Sequence, residues 1–121
     1  RFSPDGKYLS TLKMPKDSFP CDTYYLGKYV AVASLNNPDK TKGAAIYILE
    51  NDQVISTVLP KEELGLTNFM HIHNAVLRQI GKKYYLIVAP SKCKGSWKGS
   101  GTFYFRTGER VEVPISQKCK K

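Results

Sequence analysis

The sequence predicts an all-β chain of short antiparallel strands. Apolar side chains alternate with polar ones at a period of two, and Gly, Pro, Asn and Asp interrupt this alternation at short intervals. The alternating pattern occurs twice, on either side of the segment 60–69. That segment is the one place where we expect a short helical turn, because Pro60 and the acidic Glu62 and Glu63 suit the first turn of a helix.

Four strands are expected in each pass of the pattern, and one more precedes them. The expected strands are 8–12, then 22–26, 29–34, 44–49 and 54–59, and finally 71–78, 84–89, 102–105 and 111–115. Tight turns at Gly27 and Gly81 join the first two strands of each set, which indicates two hairpins.

Three units of a turn followed by a strand, at 5–9, 51–55 and 107–111, recur at intervals of roughly fifty residues, the spacing of propeller repeats. We therefore predict two four-stranded antiparallel propeller blades, at 16–59 and 60–121, preceded at 1–15 by one extra N-terminal outer strand of another blade. Because propellers close with about four to eight blades, we expect other blades from copies of the chain or from another chain, or a processed or incomplete chain.

Three stretches carry a resemblance to a known family. The turn and strand Phe2-Ser3-Pro4-Asp5-Gly6-Lys7-Tyr8-Leu9, the strand entry Phe19-Pro20-Cys21-Asp22, and the run Asn68-Phe69-Met70-His71-Ile72-His73-Asn74-Ala75-Val76 resemble six-bladed β-propellers of the NHL-repeat type. The resemblance implies the same blade architecture. It implies little about activity, because propellers host unrelated functions.

One enzymatic branch of that family, the peptidyl-hydroxyglycine amidating lyases, has a Pro-His pair entering the innermost strands, and its histidines bind zinc at the central channel. Here His73 occupies the similar position but follows Ile72, and Cys21 after Pro20 holds the equivalent place in the first blade. The chain has only two histidines. The resemblance therefore implies that another chain would have to complete a zinc site.

The long connections are expected to lie at one end of the blades and the short turns at the other. The long ones are 14–21, 35–43, 60–70 and 90–101. Because binding residues concentrate on long loops held by a rigid scaffold, we predict the binding face at the long-loop end. Its expected residues are His71, His73, Trp97, Lys40, Lys42, Lys94 and Lys98.

Two interpretations of these residues remain open. His71 and His73 lie one residue apart, so in a strand both imidazoles point to the same side and could bind zinc with a third ligand. Alternatively, they hydrogen-bond loop carbonyl groups. Trp97 beside the lysines could stack on a base or sugar or pack on a protein; alternatively, it covers a blade edge while the lysines solubilise the loop.

Charge and cysteine content add limited constraints. The formal net charge of +9 makes a polyanionic ligand worth testing, although the cations are spread along the chain. Cys93 and Cys119 are both expected at the long-loop end and could form a disulfide that tethers the basic tail 118–121. The sequence does not establish a cellular compartment. We favour an extracellular or periplasmic location. No run approaches the roughly 18 apolar residues of a membrane helix.

The function expected from the sequence is therefore that of a non-enzymatic propeller segment without a cofactor. It would act as a binding or structural module through its long-loop face, with a protein or a polyanion as ligand. The alternative, from a different class, is part of a zinc-dependent peptidyl-hydroxyglycine amidating lyase-like propeller.

Overall fold

A computed structural model describes residues 1–67, 69–90, 102–104 and 110–112. Within them the chain forms eight strands and one short helix. These are β1 (Pro20–Leu26), β2 (Tyr29–Ser34), β3 (Ile46–Glu50), β4 (Gln53–Val58), α1 (Pro60–Leu64), β5 (Ile72–Ile80), β6 (Lys83–Pro90), β7 (Thr102–Tyr104) and β8 (Arg110–Glu112). The prediction of a mostly β chain is confirmed.

The first four strands form one antiparallel sheet in the order β1-β2-β3-β4. Gly27 in the first turn and Asn51 and Asp52 in the third all have positive φ, the backbone conformation that tight hairpin turns need. Glycine and asparagine tolerate that conformation best. The turn residues therefore set the register of this meander, as the sequence predicts.

Both faces of the central strands β2 and β3 are buried, and β2 is buried at every position. Ala31 and Ala33 belong to one hydrophobic cluster, and Val30 and Val32 belong to another on the opposite face. A strand covered on both sides reads as a continuous apolar run, which is what 29–33 shows.

The β5–β6 hairpin packs against one face of the sheet. Its Ile72 and Leu77, together with Phe69, are essentially inaccessible to solvent and join the cluster around Ala31 and Ile46. Tyr84 of β6 meets Tyr29 of β2 edge to face, with the ring centroids 5.4 Å apart. Two layers of sheet therefore share one core.

The N-terminal segment covers part of the other face, where Leu12 and Met14 pack against the cluster containing Tyr47. The predicted strand at 8–12 does not form. Phe2 and Tyr8 instead make an isolated bridge around a turn in which the Ser3 amide donates to the Lys7 carbonyl oxygen at 2.8 Å. The segment pairs with itself through this bridge and does not add a strand to either neighbouring sheet.

The second set of strands differs from the predicted four-stranded meander. In the part of the chain that the structure describes, β5 pairs with β6 and β7 pairs with β8 as two separate two-stranded sheets. Strands β7 and β8 span three residues each and therefore offer few ladder hydrogen bonds. The division into propeller blades remains a prediction.

Helix α1 begins at Pro60, whose fixed φ suits a first helical position, and ends where Gly65 adopts a left-handed conformation. The short helical turn expected in 60–69 is thus confirmed and ends earlier. No helix in the described ranges is both long and apolar enough to cross a membrane.

Candidate functional site

Three of the four long connections meet at one end of the sheets. The Leu35 amide donates to the Phe19 carbonyl oxygen at 2.8 Å, and the Ala44 amide donates to the Phe69 carbonyl oxygen at 2.9 Å. The connections that precede β1, join β2 to β3 and join β4 to β5 therefore contact one another. The fourth, 91–101, lies outside the described residues.

The connection between β2 and β3 is held by its own polar side chains. The buried Asn37 donates through Nδ2 to the Gly43 carbonyl oxygen at 3.0 Å, and its Oδ1 accepts from the Asp39 amide at 2.9 Å. A carboxylate oxygen of Asp39 in turn accepts from the Thr41 amide and hydroxyl, at 3.0 and 2.7 Å. These bonds lower the pKa of Asp39 and fix the loop conformation.

The same loop is fastened to helix α1. The Gly43 amide donates to Oε1 of Glu62 at 2.8 Å. A Cβ atom on Gly43 would lie 2.6 Å from Cβ of Lys61 and 2.7 Å from the Phe69 carbonyl oxygen, so only glycine fits here. Local hydrogen bonds and close backbone packing therefore make this end of the molecule a rigid platform.

An exposed apolar patch lies on this platform. Phe19 is 53% exposed and Leu35 is 41% exposed. Nζ of Lys40 stands 5.2 Å from the centroid of the Phe19 ring, within the range of a cation–π interaction. Nδ1 of His71 lies 2.9 Å from the Leu35 carbonyl oxygen. We refer to these four residues as the Phe19 patch.

His71 does not belong to a strand, because β5 begins at Ile72. Since a carbonyl oxygen only accepts, Nδ1 of His71 donates this hydrogen bond. This is the contact that the carbonyl-bonding interpretation predicts for His71. The strand begins at Ile72 and not at His71, so the condition that both histidines lie in one strand is not met.

His73 occupies a β-bulge, and so does Cys21. In β1, Pro20 pairs with Ser34 and Asp22 pairs with Ala33, which leaves Cys21 as the extra residue. In β5, Ile72 and Asn74 pair with successive residues of β6, so His73 is extra in the same way. The two hairpins thus begin with the same irregularity, at the positions that the sequence repeat makes equivalent.

The thiol of Cys21 lies among backbone carbonyl groups. Its sulfur is 3.4 Å from the oxygen of Ala33, 3.2 Å from that of Ile72 and 3.3 Å from that of His73. Desolvation, and secondly the negative charge of Asp22, raise the pKa of the Cys21 thiol. Cys21 is therefore a hydrogen-bond donor to carbonyl groups, whereas reaction with electrophiles requires the thiolate.

The zinc hypothesis gains no ligand set from the described side chains. Among them, no three His, Cys, Asp or Glu residues come close enough together to hold a metal ion. Nδ1 of His71 is engaged by a carbonyl group. No chemical step through zinc is derived for this chain.

Of the four lysines predicted for the binding face, the structure describes Lys40 and Lys42. Lys40 lies in the Phe19 patch, and Nζ of Lys42 lies 3.6 Å from a carboxylate oxygen of Asp39. Lys61, at the same end, lies 3.8 Å from Glu62. Trp97, Lys94, Lys98, Cys93, Cys119 and the tail 118–121 lie outside the described residues, so their predicted roles stay predictions.

Two features of this end escaped the sequence patterns. In the sequence, Phe19 is an apolar residue just before a strand, and the alternation of apolar and polar residues does not indicate that its side chain is exposed. The bulge at Cys21 has a weak signal, since two successive polar or small residues, Cys21 and Asp22, interrupt the alternation.

Comparisons with protein-family models, curated proteins and solved structures find no match for this chain. The resemblance to NHL-type propellers therefore stays a prediction from sequence.

Proposed function

We propose that this chain is a non-enzymatic, propeller-type binding module that takes a protein partner at the Phe19 patch and is completed by further blades or copies. The observation that carries the proposal is the exposed Phe19 ring beneath the ammonium group of Lys40, on loops held by hydrogen bonds. A rigid platform reduces the ordering cost of binding.

The chemistry of the patch favours a protein over a polyanion. The patch contains an exposed aromatic and an exposed aliphatic side chain, Phe19 and Leu35, and the ammonium group of Lys40 lies over the Phe19 ring. Interface hot spots have this arrangement of an apolar anchor within a polar rim. Because Lys42 and Lys61 pair with Asp39 and Glu62, the described part of this end is not a uniform cationic surface.

A test requires a defined probe, and peptides selected from a random display library against the whole protein supply one. We expect the selected peptides to bind Phe19→Ala at least about tenfold more weakly than the original protein, the equivalent of 1.4 kcal/mol. Phe2→Ala is the matched control, since Phe2 is an exposed phenylalanine on the N-terminal turn. Equal binding to both variants would overturn the proposal.

Completion by further blades has its own measurement. The mass of the protein in solution should exceed 13.6 kDa if copies of the chain assemble. If the protein stays monomeric at high concentration, copies of the chain do not supply the further blades. The proposal then requires that another chain supplies them. A monomer whose apolar surfaces bind neither copies nor any selected peptide would count against a module of this kind.

The alternative of a zinc-dependent lyase-like propeller is tested separately. Metal analysis after exposure to zinc, with and without chelator, distinguishes the two functions. Stoichiometric zinc that is lost in His73→Ala and retained in an exposed-residue control such as Ser10→Ala would favour the lyase alternative.

A further inference from the structure

The β5–β6 hairpin has a second face, opposite the one that carries Leu77 and Leu86. Cross-strand pairing puts Val76 opposite Ile87, Arg78 opposite Tyr85 and Ile80 opposite Lys83. These six residues alternate with the buried positions of the same strands, and we call them the outer hairpin face. Among them, Tyr85 also packs against the hydrophobic core.

Large apolar side chains are exposed on this face. Ile80 is 65% exposed and Ile87 is 49% exposed, whereas Leu77 and Leu86 on the inner face are almost completely buried. Along β5 the distance from Val76 to Ile80 is about 13 Å. The exposed apolar groups therefore lie at both ends of this face, with Arg78 and Tyr85 between them.

The stretch of sequence that carries these cations contains no carboxylate residue. No Asp or Glu occurs between Glu63 and Glu109, and seven cations lie in that interval: Arg78, Lys82, Lys83, Lys92, Lys94, Lys98 and Arg106. Among the described side chains, none of the ion pairs includes Arg78, Lys82 or Lys83. By contrast, Lys28 at another hairpin turn pairs with Glu50 at 2.7 Å.

We infer that the outer hairpin face docks a protein surface on which acidic side chains alternate with apolar ones, so that carboxylates meet Arg78 and Lys83 while apolar groups cover Ile80 and Ile87. Charge complementarity selects this partner. The inference rests on the proposed function in treating the chain as a protein-binding module, and it assigns the partner chemistry of a different surface.

Two other occupants fit less well. A second copy that presented the same face would place cation against cation, which costs binding free energy. A hairpin that inserts into an anionic membrane would have an apolar tip, with its cations farther back at the level of the lipid headgroups. Here Lys82 and Lys83 lie at the tip, and cations alternate with apolar residues along the face.

The probe is a ten-residue peptide in which glutamate alternates with valine. Binding to the whole protein is followed by amide shifts in NMR, which should cluster at residues 76–87. We expect affinity for this peptide to exceed that for a lysine–valine peptide and for a glutamate–serine peptide by about tenfold or more. It should also fall as salt is added, because the cations are exposed.

Charge reversal provides the decisive comparison. Arg78→Glu combined with Lys83→Glu should abolish binding of the glutamate–valine peptide and create binding of the lysine–valine peptide, a gain that an unfolded variant cannot show. Lys7→Glu combined with Lys13→Glu makes the same change in net charge at exposed lysines elsewhere and should leave both affinities unaltered.

The remaining outcomes are also informative. Equal loss of binding in the two double variants would show a non-specific charge effect and overturn the inference. Binding to phosphatidylserine vesicles without binding to the peptide would replace it with a membrane surface. Phe19→Ala should retain peptide binding at the outer hairpin face, so failure here and failure at the Phe19 patch are distinguishable.

Discussion

The sulfur of Cys21 lies 3.3 Å from the carbonyl oxygen of His73, so the bulged residues of β1 and β5 are direct neighbours. Each is the extra residue at the entry to a hairpin, at two positions that the predicted repeat makes equivalent. The two neighbouring hairpins therefore begin with the same irregularity.

Cys21 should react slowly with alkylating reagents at neutral pH. Desolvation and the charge of Asp22 raise the pKa of its thiol, and only the thiolate is nucleophilic. Site-resolved mass spectrometry after brief iodoacetamide treatment should show less modification of Cys21 in the folded protein than in denaturant. The difference should narrow as the pH rises. Faster modification in the folded state would contradict the assignment.

Phe69→Ala should destabilise the protein by about 3–5 kcal/mol, because Phe69 is fully buried between the helix connection and the two sheets. Denaturant unfolding measures the change. Phe2→Ala removes the same atoms from an exposed position and should alter the free energy of unfolding by no more than about 0.5 kcal/mol. Similar losses in both variants would contradict this packing.

Gly43→Ala should cost about 1–3 kcal/mol, since the added methyl group would overlap Lys61 and the Phe69 carbonyl group. The substitution should also weaken the hydrogen bond between the Gly43 amide and Glu62. Thermal unfolding and the exchange rate of the Gly43 amide report the two effects. Unchanged values for both would show that the loop and helix α1 separate readily.

The pKa of Asp39 should lie below the value of about 3.9 for a free aspartate, because its carboxylate accepts hydrogen bonds from Thr41. A lowered folded-state pKa means that the carboxylate stabilises the loop above the unfolded-state pKa. The contribution is lost as the pH falls through the folded-state pKa. Carboxyl NMR titration measures it, and Thr41→Val should raise the pKa toward the free value.

Local sequence signals were sufficient for much of this fold. The alternation and the turns at Gly27 and Gly81 predicted six strands, β1 to β6, within a few residues, because the turn chemistry and the buried faces act in the same direction. The strand expected at 8–12 did not form, since pairing depends on a neighbouring strand that a local pattern does not specify.

The candidate site was less predictable for a similar reason. Lys40 and His71 lie in long connections and His73 lies near the start of β5, positions that loop length and strand order indicate. That these residues form a binding face stays a prediction. The stacking of Lys40 on Phe19 depends on how two connections pack together, and the exposure of Ile80 and Ile87 depends on which face of a hairpin meets the core. The local alternation of apolar and polar residues predicts neither the stacking nor the exposure.

The segment before β1 covers the second face of the four-stranded sheet with Leu12 and Met14. It contains exposed lysines at 7, 13 and 16, which are cleavage points for trypsin. A cut there would release the cover and leave Val32 and Tyr47, now buried, on an open sheet surface. A short peptide outside the strands therefore shields this surface, and we expect limited digestion to increase self-association of the chain.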